Sequence, residues 1–214
     1  MPAYLPLFID LSARSIVIFG GGPVGERKAR YFLPAEVTVI SREFTPGLEA
    51  MGREGSIRLE RADVTKEGLF SLIDGAFLVV AATGDPAIDN EIRRIAEGNN
   101  ILVNSATGDS SVIVPSLIKK EQIMIAISTG GSSPALSKYL RLKLESAVGE
   151  DMEKMASLQE KVRKRLKETV DDQGRREKIL WDIMEDPGVW KALAESPDIA
   201  YEAALKHIKE RKYL

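Results

Sequence analysis

The chain has no cysteine and a single histidine, His207, in 214 residues. The first absence excludes a disulfide scaffold, a thiolate metal site and cysteine catalysis. The second removes multi-histidine metal sites and leaves little room for a histidine base. Net charge is nearly absent too: 30 basic against 32 acidic residues, a balance of −2. A global polyanion binder is normally basic, so wholesale nucleic-acid binding is not expected. No apolar run reaches the roughly 18 residues of a membrane span, and the opening Met-Pro-Ala-Tyr-Leu-Pro carries no basic segment; the expectation is a soluble, cytoplasmic protein. No repeat of 20–50 residues and no low-complexity stretch is visible.

What is present is an ordinary globular composition, 44% hydrophobic and 29% charged, enough for one full domain and an appendage. The charge is unevenly placed. Positions 1–149 hold 33 of the charged residues, about 22% of that stretch, and positions 150–214 hold 29, about 45%. The change falls at Gly149. It predicts a compact α/β body followed by a charged helical tail.

Within the body, short β-branched runs alternate with helical spacings of about ten residues. Ser15–Phe19 is a strand that stops at three glycines. Val24–Leu33 is helical and ends at Pro34. Val37–Ile40 is a second strand, and Thr45 and Pro46 cap a helix to Glu54. Ile57–Arg61 is a weak strand. Phe77–Ala82 is a fourth, Ala87–Glu97 a helix and Ile101–Val103 a last short strand. This alternation predicts βαβ units, a buried parallel sheet and right-handed crossovers: a Rossmann-like, doubly wound fold.

Gly20, Gly22 and Gly25 satisfy G-x-G-x-x-G, and they do so between a strand and a helix, the context in which the motif is informative. Gly20 allows the tight turn, Gly22 lets backbone N–H groups approach a pyrophosphate, and Gly25 lets helix and sheet pack closely. Strand two ends Ile40-Ser41-Arg42-Glu43 instead of at an acid in the usual place. Ser41 suits a ribose and Arg42 a 2′-phosphate, so the loop on its own leans to NADP without settling the cofactor.

Farther on, Val112–Ile118 and Ile123–Ser128 flank Lys119-Lys120-Glu121-Gln122 and read as a hairpin. Ser132 or Ser133 then caps a helix in which Leu136, Leu140, Leu144 and Val148 recur every four residues. The Gly-Gly-Ser-Ser-Pro start offers N–H donors to an anion. The tail shows stripes at Met152–Thr169, Ile179–Met184, Val189–Leu193 and Ala200–Ile208. Its apolar faces are expected in a core and its charges in solvent. His207 is expected at the surface.

Several blocks together resemble the precorrin-2 dehydrogenase family, the dehydrogenase module of siroheme synthesis. They are Leu5-Pro6-Leu7-Phe8, the run from Gly20 to Arg30, Ala81-Ala82-Thr83-Gly84-Asp85, Pro115-Ser116, and Ala126-Ile127-Ser128-Thr129-Gly130-Gly131-Ser132-Ser133-Pro134-Ala135-Leu136. The likeness spans residues 1–148. It implies NAD-dependent oxidation of precorrin-2 to sirohydrochlorin by a homodimer built on the hairpin and the following helix. It divides the chain into an NAD-binding domain (1–111), a dimerisation region (112–148) and a helical domain (149–214), the last a candidate roof over the tetrapyrrole cleft. It implies cofactor contacts at Gly20, Gly22, Pro23, Val24, Gly25, Ser41, Arg42, Thr83 and Asn104. Substrate contacts fall on Ser128, Thr129, Gly130, Ser132 and Lys138. Lys119, Lys120 and Arg141 are further cations for a substrate with eight carboxylates.

The family's best-known members carry an aspartate three residues after the asparagine that ends strand five. Thr107 stands there here, and Asp109 is the candidate replacement. Without a carboxylate in that space, the ferrochelatase activity of some members is in doubt. No metal-binding residues are expected. Another NAD(P)-linked oxidoreductase would explain the glycine loop but not the Ser-Thr-Gly-Gly-Ser-Ser-Pro block, and a non-catalytic nucleotide-sensing Rossmann domain would share the loop and dimerise but usually carries the strand-two acid that is missing here.

Overall fold

The computed structural model describes residues 4–64, 68–105 and 110–210, the last two by their backbone alone. Two compact units divide the chain, Met1–Val114 and Pro115–Leu214.

The first unit is built on five parallel strands: β1 (Ser15–Phe19), β2 (Glu36–Ser41), β3 (Arg58–Arg61), β4 (Leu78–Ala81) and β5 (Leu102–Ser105), in the order β3-β2-β1-β4-β5. The period of two along each strand sorts side chains onto two faces. Ile16, Ile18, Val37, Val39, Leu78 and Val80 enter one core with Ala29 and Phe32 of α1 (Pro23–Tyr31) and Leu48 and Met51 of α2 (Pro46–Arg53). Val17, Phe19, Ile40, Val79, Ala81 and Val103 enter the other with Ile73 of α3 (Leu69–Ile73) and Ile92 and Ala96 of α4 (Pro86–Gly98). Both faces of β1 and β4 are buried, which is why those strands read as unbroken apolar runs. The doubly wound sheet is the one the alternation predicts. Helix α3 is an addition that sequence periodicity did not signal.

The second unit opens with an antiparallel hairpin, β6 (Ser116–Lys120) and β7 (Ile123–Ile127), with Ser116 opposite Ile127 and Lys120 opposite Ile123. Strand β6 starts four residues later than its apolar run. Val112 and Val114 pack on the first unit's core instead, and the Val112 N–H donates to the Val103 carbonyl at 2.9 Å. Helix α5 (Pro134–Ala147) follows, capped by Ser133, whose Oγ accepts from Leu136 N.

Four helices complete the chain: α6 (Glu150–Thr169), α7 (Gln173–Glu185), α8 (Pro187–Glu195) and α9 (Pro197–Glu210). Met155, Leu158, Val162 and Leu166 of α6 meet Ile179 and Ile183 of α7, Val189 and Leu193 of α8, and Ala200, Ala204 and Ile208 of α9. The charged tail is therefore a helical bundle with its own core. Among the described residues no helix is long and apolar enough to cross a membrane.

His207 departs from its expected place at the surface. It is half-buried, and its Nε2 lies 2.8 Å from Asp186 Oδ2. Asp186 sits between α7 and α8 and also caps α8, accepting from Gly188 N at 2.7 Å. The hydrogen bonds from His207 and Gly188 hold its carboxyl below the ordinary range. This carboxylate thus joins three helices. Asp186→Ala is expected to destabilise the chain by about 1 kcal/mol through the lost cap, while Asp186→Asn, which keeps a capping oxygen, loses less. Because the folded carboxyl titrates below its unfolded value near 3.9, its contribution is complete above that value and fades as pH falls through the folded one. Urea melts of both variants and the parent, at neutral pH and below pH 4, check the order and the acid loss.

Candidate functional site

The glycine loop is shaped by close backbone approach. Gly20 has φ +119°, and a side chain there would strike the Ala82 carbonyl; a Cβ on Gly21 would strike the Glu43 carbonyl, and one on Gly25 the Gly20 carbonyl. Gly22 differs: nothing lies within 4 Å of where its Cβ would be. It is also the N-cap of α1, with Pro23 at the first position, so the helix's unpaired N–H groups begin at an open surface. An open helix N-terminus of this kind has room for a pyrophosphate, while the close approaches at Gly20 and Gly25 leave none for side chains.

Two further residues fasten the cradle. Thr45 caps α2, its Oγ1 accepting from Leu48 N, and the same hydroxyl donates to Glu26 Oε2 at 2.6 Å. Glu26 also receives Arg30 at 2.7 Å. The Thr45 hydroxyl first, then Arg30, draws the Glu26 carboxyl below its ordinary range. The Thr45 N–H donates to the Gly21 carbonyl at 2.9 Å. The turn after β2 is thereby tied to the phosphate helix.

A cleft of about 720 Å³ opens beside the loop, lined by Gly20, Gly21, Gly22, Ser41, Arg42, Thr83 and Asp85, with Ile40, Phe44, Ala62 and Ile88 among its apolar walls. It lies across the β1/β4 switch point, where doubly wound sheets bind nucleotides. A larger hollow of about 1100 Å³, between β2, β3 and α2, touches neither the glycine loop nor Thr83. Thr83 is fixed in its wall: its N–H and Oγ1 both donate to Asp89 Oδ1, at 3.0 and 2.7 Å, and Asp89 is 1% exposed.

The structure therefore brings Gly20, Gly22, Ser41, Arg42 and Thr83 to one cleft. Pro23 and Val24 start α1, and Gly25 serves the packing of that helix on the loop. Asn104 does not line the cleft. Its Oδ1 accepts from Lys28 and its Nδ2 donates to the Val112 carbonyl at 2.8 Å, so the amide is engaged in the protein's own structure. Sequence reasoning missed Glu26, Lys28 and Asp89. The i,i+4 spacing of Glu26 and Arg30 was the one available signal; nothing local announces that Asp89 is buried or that Lys28 reaches β5.

Of the other expected positions, Thr107 and Asp109 lie outside the described residues. In the second unit, Gly130 and Gly131 have φ of +62° and +85°, and the hydroxyls there serve their own turn. Ser128 Oγ accepts from Gly130 N, Ser132 Oγ donates to the Thr129 carbonyl, and Thr129 Oγ1 donates to the Ser133 carbonyl. Lys138 is exposed on α5. Among the described residues no group of three or more His, Asp or Glu is arranged to hold a metal ion.

Comparison with known proteins agrees with this geometry. Residues 7–116 match a family described as putative NAD(P)-binding, and residues 122–147 match the family described as sirohaem biosynthesis protein central. A precorrin-2 dehydrogenase of Methanosarcina barkeri is 43% identical over 205 residues, 94% of this chain and 92% of that one. Siroheme synthases of Cronobacter sakazakii and Salmonella typhi are 36% and 33% identical over 84% and 96% of this chain, which spans only 39% and 45% of theirs. The solved structure of SirC, precorrin-2 dehydrogenase, superposes with a TM-score of 0.76 at 25% identity, covering 97% of this chain and 100% of that one.

The two kinds of glycine separate in a binding measurement. Gly22→Ala should fold as the parent does and weaken NAD⁺ by about tenfold or more, because a methyl group enters the phosphate space. Gly25→Ala should instead destabilise the fold by about 1–3 kcal/mol, since it overlaps backbone. Melting temperature and fluorescence titration with NAD⁺, run on both, distinguish them; equal melting losses at the two positions would contradict the assignment.

Proposed function

The chain belongs to the precorrin-2 dehydrogenase family, and from that premise we propose how its parts divide the work. It is an NAD-dependent oxidoreductase of siroheme biosynthesis, acting on precorrin-2. The observation that carries this reading is a family match along nearly all of both chains, seated on a dinucleotide cleft whose loop leaves Gly22 open.

NAD⁺, when bound, supplies the hydride acceptor that converts precorrin-2 to sirohydrochlorin. The N–H groups at Gly22 and the start of α1 hold the pyrophosphate, with Gly20, Pro23, Val24 and Gly25 setting the turn. Ser41 and Arg42 face the adenosine ribose, and Thr83, held by Asp89, borders the cofactor on the β4 side. Arg42 does not commit the site to a 2′-phosphate, because a guanidinium beside a ribose hydroxyl is equally a hydrogen-bond donor. Asp109 is the proposed proton acceptor or ring-orienting group.

Residues 112–148 serve dimerisation in this reading. No residue of α5 is buried, and Leu136, Tyr139, Leu140, Leu142 and Leu144 are between 37% and 57% exposed. Of the hairpin, Ile118 alone is fully buried. A helix so apolar and so open is supported by a second copy of itself. Ser128, Thr129, Gly130, Ser132 and Lys138 meet substrate carboxylates in this reading, and residues 149–214 form the helical domain. Cytoplasmic placement follows the cofactor pool.

Anaerobic incubation with precorrin-2 should give the sirohydrochlorin absorption with NAD⁺ and much less with NADP⁺. No product with either cofactor would sink the activity. Asp109→Ala should lower turnover while leaving NAD⁺ affinity in place. The joint substitution Leu140→Asp with Leu144→Asp should convert a sedimenting dimer to monomer; a monomeric parent chain would refute the dimer. Ferrous iron added to the product tests metal insertion separately.

A further inference from the structure

None of the Glu26-Arg27-Lys28-Ala29-Arg30 run lines the cleft, but one of the five reaches across the sheet. Lys28 lies on α1, the helix whose start faces the phosphates, yet its Nζ donates to Asn104 Oδ1 at 2.7 Å, on β5. Asn104 is 6% exposed and its Nδ2 donates to the Val112 carbonyl. An amide has one accepting and one donating end, and these two bonds settle which end faces which. Strand β5 is not the neighbour of β1; β4 stands between them. The Lys28–Asn104 bond is therefore a brace that passes over β4. It links the helix that grips phosphate to the strand pair β4–β5, which carries the second mononucleotide half of a doubly wound cleft.

We propose that Lys28 is a positioning residue for the oxidation: its ammonium, acting through Asn104, holds the β4–β5 half of the dinucleotide cleft in register with the phosphate-binding half. The proposal rests on the NAD reading and adds to it a residue whose charge governs how well the cleft is formed. An ammonium donating to an amide oxygen makes a charge-assisted bond, roughly twice as strong as a neutral one. No carboxylate among the described residues pairs with Lys28. Strand β1 carries no charged residue, Glu36 on β2 makes no ion pair with Lys28, Glu49 on α2 is held by Arg61, Glu26 on α1 is held by Arg30 and Thr45, and Arg53 on α2 is itself a cation. Burial, with the positive Arg27 beside it, lowers the amine to about 8. The brace is thus charged at neutral pH and largely neutral above pH 9.

The test is NAD⁺ affinity against pH, by fluorescence titration, for the parent and for Lys28→Met, Lys28→Arg and Asn104→Ala, each with its melting temperature. The parent should bind about tenfold more weakly at pH 9.5 than at pH 7. Lys28→Met should bind about tenfold more weakly than the parent at pH 7 and show no further fall, because nothing titrates there. Lys28→Arg, which keeps its charge throughout, should also show no fall. Asn104→Ala should match Lys28→Met, and the double variant should be no weaker than either, the signature of residues acting as a unit. Unchanged affinity in Lys28→Met, additive losses in the double variant, or a fall with pH that persists in Lys28→Arg would each overturn the proposal. The arginine variant decides the matter if Lys28→Met fails to fold. Since the readout is NAD⁺ binding, a parent that binds NAD⁺ without oxidising precorrin-2 would count against the activity and leave this test standing.

Discussion

Backbone packed on backbone at Gly20, Gly21 and Gly25 is the constraint on which the rest of the first unit depends. Each lies where a side chain would overlap a carbonyl: of Ala82 beyond β4, of Glu43 beyond β2, and of Gly20 itself. Three segments distant in sequence therefore meet at one turn with no side chain between them. That closeness draws the end of β1, the start of α1, the turn into α2 and the wall at Thr83 around one cleft. It also leaves Gly22, the glycine with open space, at the mouth. The Thr45–Glu26–Arg30 chain and the Thr45 N–H on the Gly21 carbonyl hold the same junction from outside. The site is thus mostly backbone, which is why it could be recognised from glycine spacing.

A chemistry run by a nicotinamide asks little of protein side chains. The hydride acceptor belongs to the cofactor, and the substrate's gain in conjugation favours the product, so placement is the protein's main task. The shortage of reactive residues agrees with this. The lone histidine is spent on Asp186 in the helical bundle, where it joins α9 to the α7–α8 turn. Two buried polar groups act by fixing other groups: Asp89 fixes Thr83 in the wall of the cleft, and Asn104, outside the cleft, holds the Val112 carbonyl. Buried polar groups of this kind specify geometry because each would be costly if left unpaired.

Legibility followed the range of the interaction. Elements with a strong period and nearby punctuation could be read: β1 before its glycines, α2 after Thr45 and Pro46, and α6 from Met155, Leu158, Val162 and Leu166. The parallel sheet followed from the alternation, because strands covered on both faces are apolar throughout. Short pieces fared less well. Helix α3 has five residues, too few to show a period. Val112 and Val114 have the composition of a strand, but their partner is the core beside β5, and composition does not name partners. His207 looked like surface for the same reason: its ligand is 21 residues away, across a turn.

Asn104 is the instructive case. Its place at the end of a strand in a nucleotide fold suits a cofactor contact, and its residue type is right for one. What decides its role is Lys28, 76 residues earlier, on a helix that is not adjacent to its strand. Lys28 in turn looks, in sequence, like one more cation in a basic stretch of an amphipathic helix. Arg27 and Arg30 beside it are such cations and both are exposed, whereas Lys28 is half-buried and its Nζ reaches Asn104 on β5. A hydrogen bond is satisfied by geometry, and geometry across the sheet is set by strand order. Strand order was predicted only as a class, doubly wound, so every side chain whose meaning depends on a second-neighbour strand stayed hidden until β4 was seen to lie between β1 and β5.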